Sequence, residues 1–321
     1  MRVSYSQMRT YETCPLRYKF MYVDKIKEPP TPEMEYGAFL HKMLQWLHDP
    51  SRGYPSTKEE LLDHFKREWY PWGIWDKRAR EQAFKDGLDA LARYYDKNIP
   101  LRDRRVADLE RNFAIPVDGN TVTGRIDRID VLDSGGYEVI DYKTGRRMPG
   151  VEHADRDLQL SFYHLAVEHL YQAKEIKLAF YYLLHGQSLE TRRGPEGLEY
   201  AVRQVTDFAA RIEGEEFEPQ LGPACERCSY RKRCPMWMFE FREELGIPGT
   251  VADDRGEDVP IEEVVTLYAK LNEDAKAASS AMEPLKRMIN AYCDEHGVEQ
   301  LMSGDVTVTR RVRRYESFDP G

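Results

Sequence analysis

The stretch Glu138-Val139-Ile140-Asp141-Tyr142-Lys143 sets a carboxylate and an ammonium, one residue apart, at the end of an apolar run. A second acid closes Gly124-Arg125-Ile126-Asp127, with thirteen residues between Asp127 and Asp141. That interval is long enough for a strand, a turn and a returning strand, so the two carboxylates can meet at one end of a hairpin. Two hard anionic oxygen donors held together suit Mg²⁺. Without a cation their charges repel, and one tends to take up a proton. Lys143 lies two positions past Asp141, on the same face of a strand. An ammonium there can orient an attacking water and offset charge developing on a phosphate.

Positioning those groups requires a strand pair and helices to cover it. Residues 4–23 carry Tyr5, Tyr11, Tyr18 and Phe20 at near-helical spacing, interrupted at Cys14-Pro15. After the proline-rich turn at 28–33, an amphipathic helix is expected, with Phe39, Leu40, Met43, Leu44 and Leu47 on its apolar side. Helices are also expected near 57–69 and 78–97. The period then changes. Residues 111–118, 121–132 and 137–142 read as an antiparallel meander turning at Asp118-Gly119-Asn120 and Ser134-Gly135-Gly136. A helix at 155–173, a strand at 176–184 and a helix near 196–213 complete an α/β core with a mixed sheet. The acidic, glycine- and proline-bearing stretch 246–260 reads as a linker between a domain at 1–245 and an accessory region at 261–321. Residues 261–296 are strongly helical, with Pro284 expected to kink or divide them, and a hairpin turning at Ser303-Gly304-Asp305 follows.

In order and spacing, these residues resemble the PD-(D/E)XK nuclease superfamily, in particular its RecB-like exonuclease branch. That branch has a GxxD strand followed by an apolar strand ending in D-x-K, matched here by Gly124 to Asp127 and Asp141 to Lys143. The proline of the superfamily's name is absent. Gly37-Ala38-Phe39-Leu40-His41 is similar to the branch's upstream histidine motif, and Gln159 and Tyr163, four apart on one helical face, to its Q-x-x-x-Y signature. The resemblance covers roughly residues 1–240. It implies a restriction-endonuclease-like core, a central mixed sheet flanked by helices, extended here by the C-terminal helix and hairpin. It also implies Mg- or Mn-dependent hydrolysis of DNA. His41, Asp127, Asp141 and the Tyr142 carbonyl would hold the metal, with Asp127, Asp141, Lys143, Gln159 and Tyr163 as the catalytic set.

Each motif alone has a plainer reading. A lone histidine on an amphipathic helix is more often packed or capping, Gln159 and Tyr163 are ordinary helix residues, and paired charges at a hairpin end make salt bridges. Four elements in the same order outweigh those readings. Asp130, three residues past Asp127, is expected to face the other side of its strand. His48, His153, His164 and His169 read as structural.

Of five cysteines, Cys225, Cys228 and Cys234 form a C-x2-C-x5-C run, and Cys14 precedes a proline far upstream. Four thiolates suit zinc or an iron–sulfur cluster. Spacing alone favours zinc. The resemblance favours a [4Fe–4S] cluster, because AddB-like and CRISPR-associated nucleases of this branch carry one N-terminal cysteine and a C-terminal triplet around one. Such a site would tie together distant segments and contribute to folding. Cys293 reads as a small buried apolar residue.

The net charge of −9 argues against a nucleic-acid coat protein, yet local basic runs, Arg231-Lys232-Arg233 and Arg310 to Arg314, leave a DNA enzyme open. The expected partner is DNA, single-stranded or with free ends. Arg231, Lys232 and Arg233 are expected to track its backbone, and the N-terminal aromatics either to stack on unpaired bases or to pack in the core. The 261–321 region is expected to meet a helicase or another protein. No Walker motif occurs, so ATPase activity is expected from another chain. No apolar run approaches the length of a membrane span and the N-terminus lacks a signal-peptide core, so a cytoplasmic location is expected. Two other classes compete: a module that holds DNA ends or a partner without cutting, and a ferredoxin-like electron carrier, which would leave the carboxylates unexplained.

Overall fold

Residues 1–52, 57–70, 76–99, 105–150 and 152–310 of the 321-residue chain are described by a computed structural model. Short polar side chains start several of its helices. Ser4 accepts from the Gln7 N–H while Gln7 reaches back to the Ser4 N–H, and this box opens α1 (Tyr5–Thr13). Cys14-Pro15 ends α1 and begins α2 (Pro15–Tyr18). Thr31 caps α3 (Pro32–His48), a Thr57–Glu60 box opens α4 (Lys58–Glu68) and Asp76 caps α5 (Lys77–Asn98).

The chain then forms β2 (Arg105–Val117), β3 (Asn120–Val131) and β4 (Tyr137–Lys143), followed by α6 (Glu152–Arg156) and α7 (Leu158–Tyr171). β5 (Ile176–Tyr182), β6 (Gln187–Thr191) and α8 (Pro195–Glu213) follow. With β1 (Arg2–Ser4) these strands make one six-stranded mixed sheet, ordered β1-β3-β4-β5-β6, with β2 also paired to β3. β4 and β5 are parallel, as are β1 and β3; the other pairs are antiparallel.

Pairing along β3 explains where a site can open. β2 covers one edge of β3 from Val131 to Asn120. The other edge is shared: β1 pairs with residues 121–123 and β4 with residues 128–131. Between these contacts β3 and β4 part, and Asp127 stands at the fork.

The sheet buries both faces, as a helix-flanked mixed sheet must. On one side, Val139, Leu178 and Phe180 pack with Leu160, Phe162 and Ala166 of α7 and Val205 and Phe208 of α8. On the other, Ile140, Tyr142 and Tyr181 pack with Leu40, Met43, Leu44 and Leu47 of α3, Phe65 of α4 and Leu91 and Tyr94 of α5. This is the restriction-endonuclease-like architecture. The short edge strands β1 and β6 carry too few residues for a period to register in the sequence.

A second compact unit, Trp237–Gly321, follows the first, Met1–Met236. It holds α9 (Arg242–Leu245), a hairpin of β7 (Thr250–Ala252) and β8 (Asp258–Pro260), the helix α10 (Ile261–His296), and a hairpin of β9 (Gln300–Ser303) and β10 (Val306–Thr309). Two expectations are corrected here. Residues 246–260 are not a plain linker, because the Asp253 carboxylate accepts from the Arg255 and Glu257 N–H groups and folds the acidic segment into a hairpin turn. Pro284 does not divide the helix, which runs through it unbroken. Residues 311–321, including Arg311, Arg313 and Arg314, lie outside the described residues. No helix among the described residues is long and apolar enough to cross a membrane.

Candidate active site

Asp141 and Lys143 share the β4 face that looks toward α7, and their side chains meet with Lys143 Nζ 2.7 Å from Asp141 Oδ2. Helix α7 holds the other carboxylate oxygen. Its start is fixed by Asp157, which accepts from the Gln159 N–H, and this aims Gln159 and Tyr163 at the strand. Gln159 Nε2 donates to Asp141 Oδ1 at 3.0 Å, while Gln159 Oε1 accepts from Lys143 Nζ at 2.7 Å. One amide therefore bridges acid and base. Tyr163 Oη lies 3.0 Å from Asp141 Oδ1 and 2.9 Å from the Arg125 carbonyl, and its single proton serves one of them at a time.

Across the fork, Asp127 Oδ2 accepts from the Tyr142 N–H at 2.8 Å, taking the place of the β3–β4 ladder bond lost there. His41, delivered by α3, brings Nδ1 to 3.4 Å from the same oxygen. Two glycines let these elements close in. A Cβ at Gly37 would meet Thr144 Oγ1 at 2.8 Å, so glycine lets α3 approach the exit of β4. A Cβ at Gly124 would meet the Phe113 ring at 2.6 Å, so glycine admits that ring over β3.

Tyr142 is anchored at its other end as well. Its hydroxyl lies 2.9 Å from Tyr94 Oη, which is 2.7 Å from His48 Nε2. Arg128 Nη1 reaches His48 and Tyr94, while its other edge grips Asp130 with two bonds of 2.6 and 2.7 Å. Arg128 and Asp130 are almost wholly buried. His48 and Asp130 thus belong to the support behind the fork. A bidentate, charge-assisted pair in a low-dielectric setting is a rigid one.

Glu110 is the residue that sequence reasoning missed. Residues 109 and 111 pair with Arg128 and Ile126, so Glu110 stands opposite Asp127, with its backbone at φ +51°. A non-glycine residue rarely adopts this left-handed conformation, and such residues concentrate at functional sites. Donor atoms of His41, Glu110 and Asp127 all lie within 4.8 Å of one another. Asp141 lies outside this tight group, with its oxygens engaged by Lys143, Gln159 and Tyr163. The segment Ala107-Asp108-Leu109-Glu110-Arg111 holds no spacing that singles Glu110 out; only the β2–β3 register does.

The electrostatics agree with the geometry. Burial pushes Asp141 up from 3.8 to about 6, against the pull of Lys143 and with help from Asp127. Burial also raises Glu110, again reinforced by Asp127. For His41, burial acts to lower the value, but the hydrogen bond and charge of Asp127, with Asp141 and Glu110 behind them, outweigh it and hold the imidazole above its usual range. All three groups shift toward their protonated forms. The site carries more negative charge than its surroundings solvate, and a divalent cation relieves that excess. Two carboxylates and an imidazole together could hold a divalent cation. The site opens into a cleft of about 650 Å³ lined in part by Glu33, Gly37, His41, Lys42, Glu110 and Arg125. A neighbouring cleft of about 700 Å³ reaches Asp49, Glu68 and Asp108, charges that repel a phosphate chain.

The cysteines gather more loosely. The Gln220 N–H meets Cys14 Sγ at 3.5 Å, and Cys225 Sγ lies 3.8 Å from the Gln220 carbonyl. Burial raises the Cys228 thiol, with Arg17 opposing and Cys14 adding to the rise. Among the described residues no three of these sulfurs lie within 4.8 Å of one another. A tetrahedral zinc site would bring them to about 3.8 Å, from Zn–S bonds of about 2.3 Å. Cys293 is buried in the second unit. The expectation that the N-terminal aromatics stack on bases is corrected for Tyr11 and Tyr18. Both are core residues in T-shaped contact with Phe208 of α8, Tyr11 from α1 and Tyr18 from α2.

Residues 2–235 match the family described as the PD-(D/E)XK nuclease superfamily, and the chain belongs to it. Membership makes the chain a nuclease of the phosphodiester-cleaving, metal-using kind. Among curated proteins it is similar to the Gene 69 proteins of Mycobacterium phage D29 (26% identical over 266 residues) and Mycobacterium phage L5 (24% over 285). Each comparison covers 73% of this chain and 96% of the phage protein. It is also similar to an ATP-dependent helicase/deoxyribonuclease subunit of Streptococcus uberis, at 25% over 152 residues, 46% of this chain and 14% of that much longer protein.

Proposed function

We propose that the chain is a Mg²⁺- or Mn²⁺-dependent DNA exonuclease acting on free ends or single strands. The observation that carries this reading is the Asp141–Gln159–Lys143 bridge facing the His41, Glu110 and Asp127 donors across the β3–β4 fork. His41, Glu110, Asp127, Asp141 and the Tyr142 carbonyl are the residues to hold the cation, which supplies charge neutralisation at the scissile phosphate. Gln159 and Tyr163 fix the Asp141 carboxylate so that it does not reorganise during the reaction. Lys143, held by Asp141 and Gln159, orients the attacking water and stabilises negative charge on the phosphate oxygens. Lys42 and Arg125 line the cleft, and together with Arg231 to Arg233 they would neutralise backbone phosphates.

We further propose that Cys14, Cys225, Cys228 and Cys234 hold a [4Fe–4S] cluster that fastens the N-terminal helix to the segment after α8. The meeting of Cys14 and Cys225 at Gln220 supports this. A brown protein absorbing near ~400 nm is expected, and a colourless one containing zinc overturns it. A helicase-bearing partner is a natural companion, since the helicase/deoxyribonuclease relatives carry both activities in their names.

The decisive assay uses end-labelled single- and double-stranded DNA, blocked or free at each end, with Mg²⁺, Mn²⁺ or chelator. Stepwise loss of nucleotides from free ends, abolished by chelator, is expected. Internal cuts in end-blocked duplex would make it an endonuclease, and tight end binding without cutting would make it a binding module.

A further inference from the structure

Helix α10 carries an apolar repeat that its own fold does not use. Ile261, Val264, Tyr268, Leu271, Ala275, Ala278, Met282, Leu285, Ile289 and Tyr292 fall at alternating steps of three and four. That spacing is an unbroken heptad seam across nearly five heptads. A soluble chain normally covers such a stripe, yet here it faces outward. Tyr268 is 70% exposed, and Leu271 and Leu285 are each 57% exposed. Only Ile261 and Ile289 along it are half-buried. Pro284, by contrast, falls on the outer row, where a missing N–H and a bulky ring disturb no partner. An exposed apolar stripe of this length marks an interaction surface.

From this seam we infer that α10 pairs with α10 of a second copy of the chain as an antiparallel two-stranded coiled coil. Residue order argues for self-pairing. Turned end for end about a centre between Ala275 and Ala278, the seam matches itself. Ile261 meets the second copy's Tyr292, Val264 its Ile289, Tyr268 its Leu285 and Leu271 its Met282. Large side chains meet large ones, and alanines sit at the crossing, where the backbones approach most closely. Direction follows from the flanking rows. Leu267 and Met288 are exposed beside the seam. Antiparallel pairing sets them against each other across copies, whereas parallel pairing sets Leu267 against Asn272 and points Met288 at Cys293, which is already buried in its own unit. Antiparallel helices also oppose their dipoles. The size is sufficient: a helix about 54 Å long, with twelve such side chains from each copy, covers roughly 1,500 Å², a standard stable interface. This inference is independent of the nuclease reading.

Size-exclusion chromatography with light scattering on the full chain tests it. The expected mass is twice 37.6 kDa. Leu271→Glu and Leu285→Glu, at exposed seam positions, are each expected to halve that mass, and Arg287→Glu, on the outer row, to leave it unchanged. Mixing Leu271→Cys chains with Met282→Cys chains is expected to give a disulfide-linked pair above the parent's background, while Leu271→Cys alone gives none. A monomer at the highest soluble concentration overturns the inference, whether the stripe is open or protected from hydrogen exchange by the nuclease unit. A dimer indifferent to both glutamates overturns the seam, and self-linking of Leu271→Cys overturns the direction.

Discussion

Replacing Asp141 with asparagine is expected to stabilise the metal-free protein while destroying its activity. The reasoning starts from a carboxyl that burial raises from 3.8 to about 6. Between those values the folded chain holds a proton that the unfolded chain has released. Stability therefore falls as pH rises from about 4 to about 6 and is level above that. About two powers of ten in proton affinity correspond to roughly 3 kcal/mol. Asparagine remains neutral throughout and escapes this loss, though it gives up the 2.7 Å ion pair with Lys143. That ion pair forms only as Asp141 ionises, and its pull is already contained in the value of about 6, so it does not add to the pH-dependent difference. Urea unfolding of both proteins in chelator from pH 4 to pH 7.5 measures that difference. The variant's advantage should grow by roughly 3 kcal/mol between the ends of the range, and Mg²⁺ should cancel it by stabilising the parent alone. A difference between the two proteins that does not change with pH would refute the reasoning.

Other consequences follow from the same geometry. Glu110→Gln should weaken Mn²⁺ binding about tenfold or more in calorimetry while leaving the fold intact, and unchanged affinity removes Glu110 from the donor set. Because the cation must displace protons from Asp141, Glu110 and His41, Mn²⁺ affinity should rise with pH through about 6 and beyond, with proton release seen as buffer-dependent binding enthalpy; a pH-independent affinity contradicts the shifts. Gly37→Ala should cost about 1–3 kcal/mol by driving a Cβ into Thr144, and Thr144→Ala in the same chain should restore most of it. Arg128→Met strips buried Asp130 of its bidentate partner and should cost about 3–5 kcal/mol in urea unfolding, and an unchanged unfolding free energy would contradict that role.

The parts of the site legible in the sequence are those set by local periodicity. Asp141 and Lys143 share a strand face because side chains alternate, and Gln159 and Tyr163 share a helix face because four residues make about one turn. Gly37 and His41 announce themselves together on an amphipathic helix. Glu110 was hidden because its place depends on the register of β2 against β3 and on a left-handed backbone that no neighbouring glycine signals. The Arg128–Asp130–His48 support was legible only in part: His48 read as structural and Asp130 as facing away from Asp127, but no local pattern shows that Arg128 joins them in a buried network. The acidic 246–260 segment misled for the opposite reason: composition suggested a linker, but one aspartate capping two N–H groups makes a hairpin. Tyr11 and Tyr18 were legible as aromatics on a helix, but only packing against Phe208 decides that they face the core.

The central claim is that the β3–β4 fork hydrolyses DNA with Lys143 acting on the phosphate and the acids holding the cation. Single-turnover cleavage of end-labelled single-stranded DNA by Lys143→Ala, alongside Mn²⁺ binding by the same variant, tests it most directly. Undiminished Mn²⁺ binding is predicted, with cleavage reduced by about a hundredfold or more. Cleavage by Lys143→Ala at the parent rate, with the metal bound, would contradict it.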